Sequence, residues 1–267
     1  MGTTLAPGLD VASPPTDTPR PKLLLLHGFF SSRAAWAGVR RELGSEVDAI
    51  APSLPGYGHT HLRNDYTLDH VVDYLADLVE QEQPTHLVGH SMGGLVALAL
   101  AARLPGRFER VGVLALPVFR NRDEGLAYIH RRSWFYRLFL GRYSLAHAGC
   151  VAVRSTRLLW APIYPFLPFR QPLPLAAGQF DHCRVAHAAG LERIVFAGLA
   201  DGLASRVRVP VALLHGDRDS SAPPAAAREL AERHGWPFEL VSGHGHQALI
   251  YHPAAVAKWV RRNLLAQ

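Results

Sequence analysis

The 267-residue sequence predicts an α/β fold, a mostly parallel sheet covered by helices on both faces. Short apolar runs alternate with segments of helical periodicity at both ends of the chain, the pattern of parallel strands joined by covering helices. Serine, aspartate and histidine residues fall just past the ends of three of those runs, where ligands bind in open parallel sheets. Between Pro117 and Ala197 the alternation stops, which predicts a largely helical insertion in place of further strands.

The elements follow in chain order. Residues 1–21 are rich in Pro and Thr, with neither a basic start nor an apolar core. A flexible arm is expected there, with one short strand around Leu9, and neither a secretory signal nor a myristoylation site, since Ala6 stands where Ser or Thr is needed. Strands are expected at 22–26, 47–51, 86–89, 111–116, 209–214 and 238–241, and helices at 34–43, 68–82, 92–104, 222–234 and 253–265. In the second helix Leu68, Val71, Val72, Leu75, Leu78 and Val79 recur at helical spacing and form a core-facing stripe. The third is alanine-rich and apolar all round, so it belongs in the interior. Pro253 suits the first turn of the last.

The insertion has its own composition. Residues 117–197 hold 13 of the chain's 24 aromatic side chains, and 11 arginines against 4 carboxylates. The chain's net charge of +6 is therefore a property of this segment. A solvated outer face, attraction to an anionic substrate group, and attraction to an acidic surface or partner all fit such charge. No basic recognition motif accompanies it, so nucleic acid is not an expected partner. No run approaches eighteen apolar residues, so no transmembrane helix is expected and a cytoplasmic location follows. In that setting Cys150 and Cys183 are expected as reduced thiols.

The sharpest local signal is Gly89-His90-Ser91-Met92-Gly93, between a strand-like run and the interior helix. A serine on a tight strand-to-helix turn is exposed for attack, and glycines two positions either side clear its neighbours. The backbone N–H of Met92 then lies at a helix N-terminus, aimed where an oxyanion would develop. Past the strand at 209–214 comes His215-Gly216-Asp217-Arg218-Asp219, and past that at 238–241 comes Ser242-Gly243-His244-Gly245-His246. On the residues alone, Asp217 or Asp219 could supply an acid and His244 or His246 a base. Neither His244 with His246 nor His86 with His90 is joined by a Cys or carboxylate cluster, so no metal is expected, nor any organic cofactor.

With serine, acid and histidine in that chain order, the sequence resembles the α/β-hydrolase superfamily, specifically its smaller serine esterases and lipases with an inserted cap. Leu25-Leu26-His27-Gly28-Phe29-Phe30 is similar to the family's strand and oxyanion loop. Ala51-Pro52-Ser53-Leu54-Pro55-Gly56-Tyr57-Gly58 is similar to its proline–glycine turn, with Ser53 where the family usually carries Asp. The family's acid lies three residues after the glycine, which implies Asp219. Its histidine follows a glycine and precedes a proline by seven positions, which implies His246, with Pro253. The resemblance implies an α/β-hydrolase fold with its core at 22–116 and 198–267 and a cap at 117–197. It also implies Ser91 as nucleophile and the Phe29 and Met92 N–H groups as oxyanion donors. His27 is expected to brace the oxyanion loop and His90 to pack within the core.

The expected activity is cleavage of a carboxylic ester through an acyl-enzyme intermediate. A thioesterase, a lactonase, a carbon–carbon bond hydrolase or a biosynthetic elimination or cyclisation would use the same residues, and a non-catalytic ligand-binding protein is the alternative of another class. Ser91 excludes the relatives that carry Asp at this turn, epoxide hydrolases and haloalkane dehalogenases. The cap's aromatic side chains must bury against something, and the strand ends above Ser91 are the available surface. Trp134, Phe135, Trp160, Tyr164 and Phe166 are therefore expected to wall an apolar acyl or aryl pocket, for an ester that is neutral or anionic.

Overall fold

The computed structural model describes residues 20–58, 60, 62, 65–132, 142–166, 178 and 180–266. The expected arm with its Leu9 strand, and the expected pocket residues Trp134 and Phe135, lie outside the described residues. In chain order come β1 (Lys22–Leu26), α1 (Ala37–Leu43), β2 (Asp48–Ile50), α2 (Leu68–Glu82), β3 (His86–His90), α3 (Met92–Arg103) and β4 (Arg110–Leu114). The following segment carries α4 (Arg122–Arg132), α5 (Tyr143–Ser155), α6 (Arg157–Trp160), α7 (Arg184–Ala189) and α8 (Ala200–Ala204). The chain then returns to β5 (Val211–Gly216), α9 (Pro224–His234), β6 (Phe238–Val241), α10 (Ala248–Tyr251) and α11 (Pro253–Val260).

Among the described residues the strands form one six-stranded sheet in the order β2-β1-β3-β4-β5-β6, every pair parallel. This is the alpha/beta hydrolase architecture the sequence leads one to expect, and each strand falls within two residues of its expected ends. Successive side chains of a strand point to opposite faces. Leu24, Leu26 and Leu87 accordingly pack with α2 and α3 on one face, while Leu23, Leu25 and Val88 pack with α1 and α11 on the other. Two covered faces favour apolar residues on both sides of a strand, which is why β1 continues from Lys22 as an unbroken run of leucines.

Helix ends account for the differences from expectation. The helix expected at 34–43 begins as a 3₁₀ turn at Arg33–Trp36, where the Ser32 side chain accepts the Ala34 N–H, and becomes α-helical from Ala37. The one expected at 253–265 widens into a π turn at Arg261–Leu265. α2 keeps its expected ends, capped by the Thr67 side chain, with Val71, Val72, Leu75 and Val79 buried. β4 stops at Leu114 because Ala115 turns into a left-handed conformation, φ 52°.

The regular structure described between β4 and β5 is helical, joined by irregular stretches such as 115–121 and 205–210. Its last part joins the core: Leu191, Ile194, Val195 and Phe196 pack with the α2 and α3 residues. A single bridge between Tyr57 and His182 ties it to the turn after β2. No helix of the described residues is long and apolar enough to cross a membrane. Cys150 and Cys183 are free thiols.

Candidate active site

Ser91 stands between β3 and α3 at φ 54° and ψ −121°, a conformation that lifts its side chain clear of both elements. The flanking glycines are required by close approach. A Cβ on Gly89 would lie 2.2 Å from the Gly93 carbonyl oxygen, and one on Gly93 would lie 2.5 Å from the carbonyl oxygens of Leu26 and His27. Such distances are shorter than contact allows, so β1, β3 and α3 converge here only if both positions lack side chains.

Three side chains from separate strand ends meet at this turn. The Ser91 hydroxyl donates to His246 Nε2 at 2.9 Å, and His246 Nδ1–H donates to Asp219 Oδ2 at 2.8 Å. Asp219 is fully buried, and its Oδ1 accepts the Ser221 and Ala222 N–H groups at 2.8 Å each. Burial pushes its carboxyl up, but His246, His215 and the Ala222 amide together outweigh that and hold it below the usual carboxylate range. The carboxylate therefore stays ionised and fixes the imidazole with Nδ1 protonated, which leaves Nε2 to accept a proton from Ser91.

The alternatives are held elsewhere. Asp217 is exposed and accepts the His244 N–H at 3.2 Å and the Ser242 hydroxyl at 3.3 Å, bracing the turn between the two loops. His244 Nδ1 faces the Ser242 carbonyl at 2.6 Å, and its ring lies 3.7 Å from that of His252.

The loop after β1 closes the other side. His27 Nε2 accepts the Leu54 N–H at 3.0 Å, and its Nδ1–H donates to the Gly28 carbonyl at 2.9 Å, so the ring joins the β1 and β2 loops. Burial lowers its pKa to about 4, which keeps it neutral and able to accept as well as donate. A Cβ on Gly28 would lie 3.1 Å from Ser91 Cβ, so the Gly28-Phe29 backbone passes directly beside the serine. Met92 is the first residue of α3, where the backbone N–H has no acceptor within the helix.

A family model described as the alpha/beta hydrolase family matches residues 23–259. The chain belongs to that family. It is 33% identical to a pimeloyl-[acyl-carrier protein] methyl ester esterase of Aromatoleum aromaticum over 80% of this chain and 86% of the relative. It is 29% identical to a protein of the same name from Aeromonas salmonicida, over 90% of this chain and 94% of that one. Among solved structures, the enol-lactonase from Burkholderia xenovorans LB400 has the same fold, with a TM-score of 0.69, 22% identity and 94% of each chain covered.

In this hydrolase the segment before β5 supplies contacts that the sequence reading did not anticipate. The His187 ring lies 4.5 Å from Phe29, and His182, stacked on His187 at 4.3 Å, lies 5.7 Å from Phe30. Burial, with His147 nearby, lowers His182 to about 4, and burial, with His182 and His147 nearby, lowers His187 to about 3, so both are neutral aromatic packing at neutral pH. Two histidines within six residues, next to Phe180, were the available signal. Tyr128 of α4 was also missed: its hydroxyl donates to the Asp219 carbonyl at 2.9 Å.

Of the expected wall residues, Trp160, Tyr164 and Phe166 lie among the described ones. Trp160 turns back on its own segment, its Nε1–H donating to the Val153 carbonyl at 2.7 Å and its ring 5.8 Å from Tyr164. Phe166 is 86% exposed. It ends a short 3₁₀ turn, Tyr164–Phe166.

Proposed function

We propose that this chain is a serine carboxylic-ester hydrolase working through an acyl-enzyme intermediate. Ser91 is the nucleophile, His246 the general base and then general acid, and Asp219 the group that orients and stabilises the imidazolium. The observation that carries the reading is the continuous relay from Ser91 Oγ through His246 at 2.9 and 2.8 Å to a buried carboxylate. Ser91 Oγ attacks the ester carbonyl carbon while its proton passes to His246 Nε2. The oxyanion so formed is held by the Phe29 and Met92 N–H groups. Collapse expels the alcohol, which takes the proton from Nε2, and water then repeats the sequence on the acyl-enzyme. Loss of one oxyanion donor costs roughly 3–4 kcal/mol of transition-state stabilisation in comparable sites.

The curated relatives act, by name, on a methyl ester of an acyl group held on acyl-carrier protein. That supports a methyl ester with an extended acyl portion as substrate. Residues 117–197 act as the cap over the strand ends, and their excess of arginine suits an anionic acyl group or an acidic carrier.

The test is a panel of methyl esters, thioesters and lactones matched for acyl length. Methyl esters are expected to give the highest kcat/KM. A preference for thioesters or lactones would move the chain to another activity of the same fold, and no turnover of any of them would overturn the reading.

A further inference from the structure

We propose that His90 is a positioning residue that locks the His246 loop onto the strand bearing Ser91. The inference rests on the reading of Ser91 and His246 given above. His90 is the last residue of β3, directly before the serine, and is 2% exposed. Its Nε2–H donates to the His246 backbone carbonyl at 2.8 Å, a bond that spans 156 residues of sequence. Its ring lies 4.9 Å from the His246 ring, and its Nδ1 would be 2.9 Å from a Cβ on Gly28. One imidazole is thus wedged between the strand of the nucleophile, the loop after β1 and the backbone of the base.

The chemistry of the ring fits this role. The carbonyl of His246 demands a donor, and a neutral imidazole supplies one N–H only, so the proton sits on Nε2 and Nδ1 is bare. A bare Nδ1 tolerates the crowded approach of the Gly28 backbone, where a second N–H would need room and an acceptor. Neutrality also matters to the neighbour. His246 must become cationic as it takes the Ser91 proton, and a charged ring at 4.9 Å would oppose that. Burial, helped by the nearness of His246, lowers His90 to about 3 and so removes the opposing charge at neutral pH. The His246 side chain carries the loop after β6 to Ser91, at 2.9 Å. The backbone clamp fixes where that side chain starts.

The test compares His90→Leu, His90→Gln and His90→Asn in the full-length enzyme. Glutamine can carry an N–H to the Nε2 position, whereas asparagine is too short and leucine has none. His90→Leu and His90→Asn are expected to lose roughly ten- to a hundredfold in kcat with KM little changed, as small misplacements of reacting groups do. His90→Gln is expected to recover most of that loss. Phosphonylation of Ser91 by a fluorophosphonate should slow in the same order. Equal rates for glutamine and asparagine, or a lower Tm with kcat unchanged in the folded fraction, overturn the proposal. If the leucine variant does not fold, the glutamine–asparagine pair decides it by the same ordering. Failure of the wild type to label at Ser91 would count against the function proposed above, whereas labelling of the wild type with no ordering among variants counts against the clamp alone.

Discussion

The sheet and the segment between β4 and β5 treat their apolar residues in opposite ways. Leu23, Leu24, Leu25 and Leu26 are fully buried between two helical layers, whereas Leu158, Leu159 and Phe166 are 83%, 74% and 86% exposed. The inserted segment is itself divided. In its last part Ala186, Leu191, Ile194, Val195 and Phe196 are buried, the last four in the α2 and α3 core, while 142–166 shows large apolar side chains to solvent. The difference teaches where precision is held. Ser91 and Asp219 follow β3 and β5, which are buried at every position, and His246 follows the half-buried strand β6 at the end of the described sheet. The exposed helices can vary in sequence and packing without disturbing those distances.

The largest expected effect lies at the strand ends. Asp219→Asn should lower kcat by about 10⁴-fold, as mis-setting the imidazole tautomer does in other triads, while Asp217→Asn should act mildly through the turn it braces. His246→Ala should be nearly inactive and His244→Ala only impaired. Steady-state kinetics on folded variants check both pairs, and a reversed ordering in either breaks the assignment.

Stability gives the next contrast. Leu87→Ala removes a fully buried side chain between β1 and α3 and should cost about 2–5 kcal/mol in urea unfolding. Leu158→Ser and Phe166→Ser, made at exposed positions, should stay within about 0.5 kcal/mol. A large loss from the exposed pair would mean that α6 and the turn after it are part of the structural core.

Acid should probe both regions. His27, His90 and His215 in the strand-end layer, and His182 and His187 in the inserted segment, have native pKa values of about 3 or 4, depressed by burial. The unfolded chain binds protons at these sites near the ordinary histidine value of about 6.5, where the native state does not. Their contribution to stability is therefore full above that value and lost as pH falls toward the native values. Tm should drop between pH 6.5 and 4, and His187→Phe should flatten the slope; an unchanged slope would contradict the depressed value of His187.

The smallest effect concerns charge. If arginines of the segment guide an anionic acyl group, kcat/KM for an anionic ester should fall with salt more than for a matched neutral one, since exposed charges are screened over about 8–10 Å. Equal responses would reduce those arginines to a solvated face.

Much of this was legible in the sequence where one physical rule dominates. Burial on both faces makes β1 an unmistakable apolar run, and the clash limits at Gly89 and Gly93 make the serine turn equally plain. The choice of Asp219 over Asp217 needed family spacing, because composition cannot tell a buried carboxylate from one on a turn two residues away. The contacts of His182, His187 and Tyr128 were not legible, since they depend on how an inserted segment folds back over loops distant in sequence.

The central claim is that the strand ends assemble Ser91 as an activated nucleophile. Treating the intact protein with a fluorophosphonate and locating the adduct by mass spectrometry tests it most directly. The account predicts a single adduct on Ser91, formed at a rate that collapses in His246→Ala. An adduct on another serine, or full esterase activity in Ser91→Ala, would contradict it.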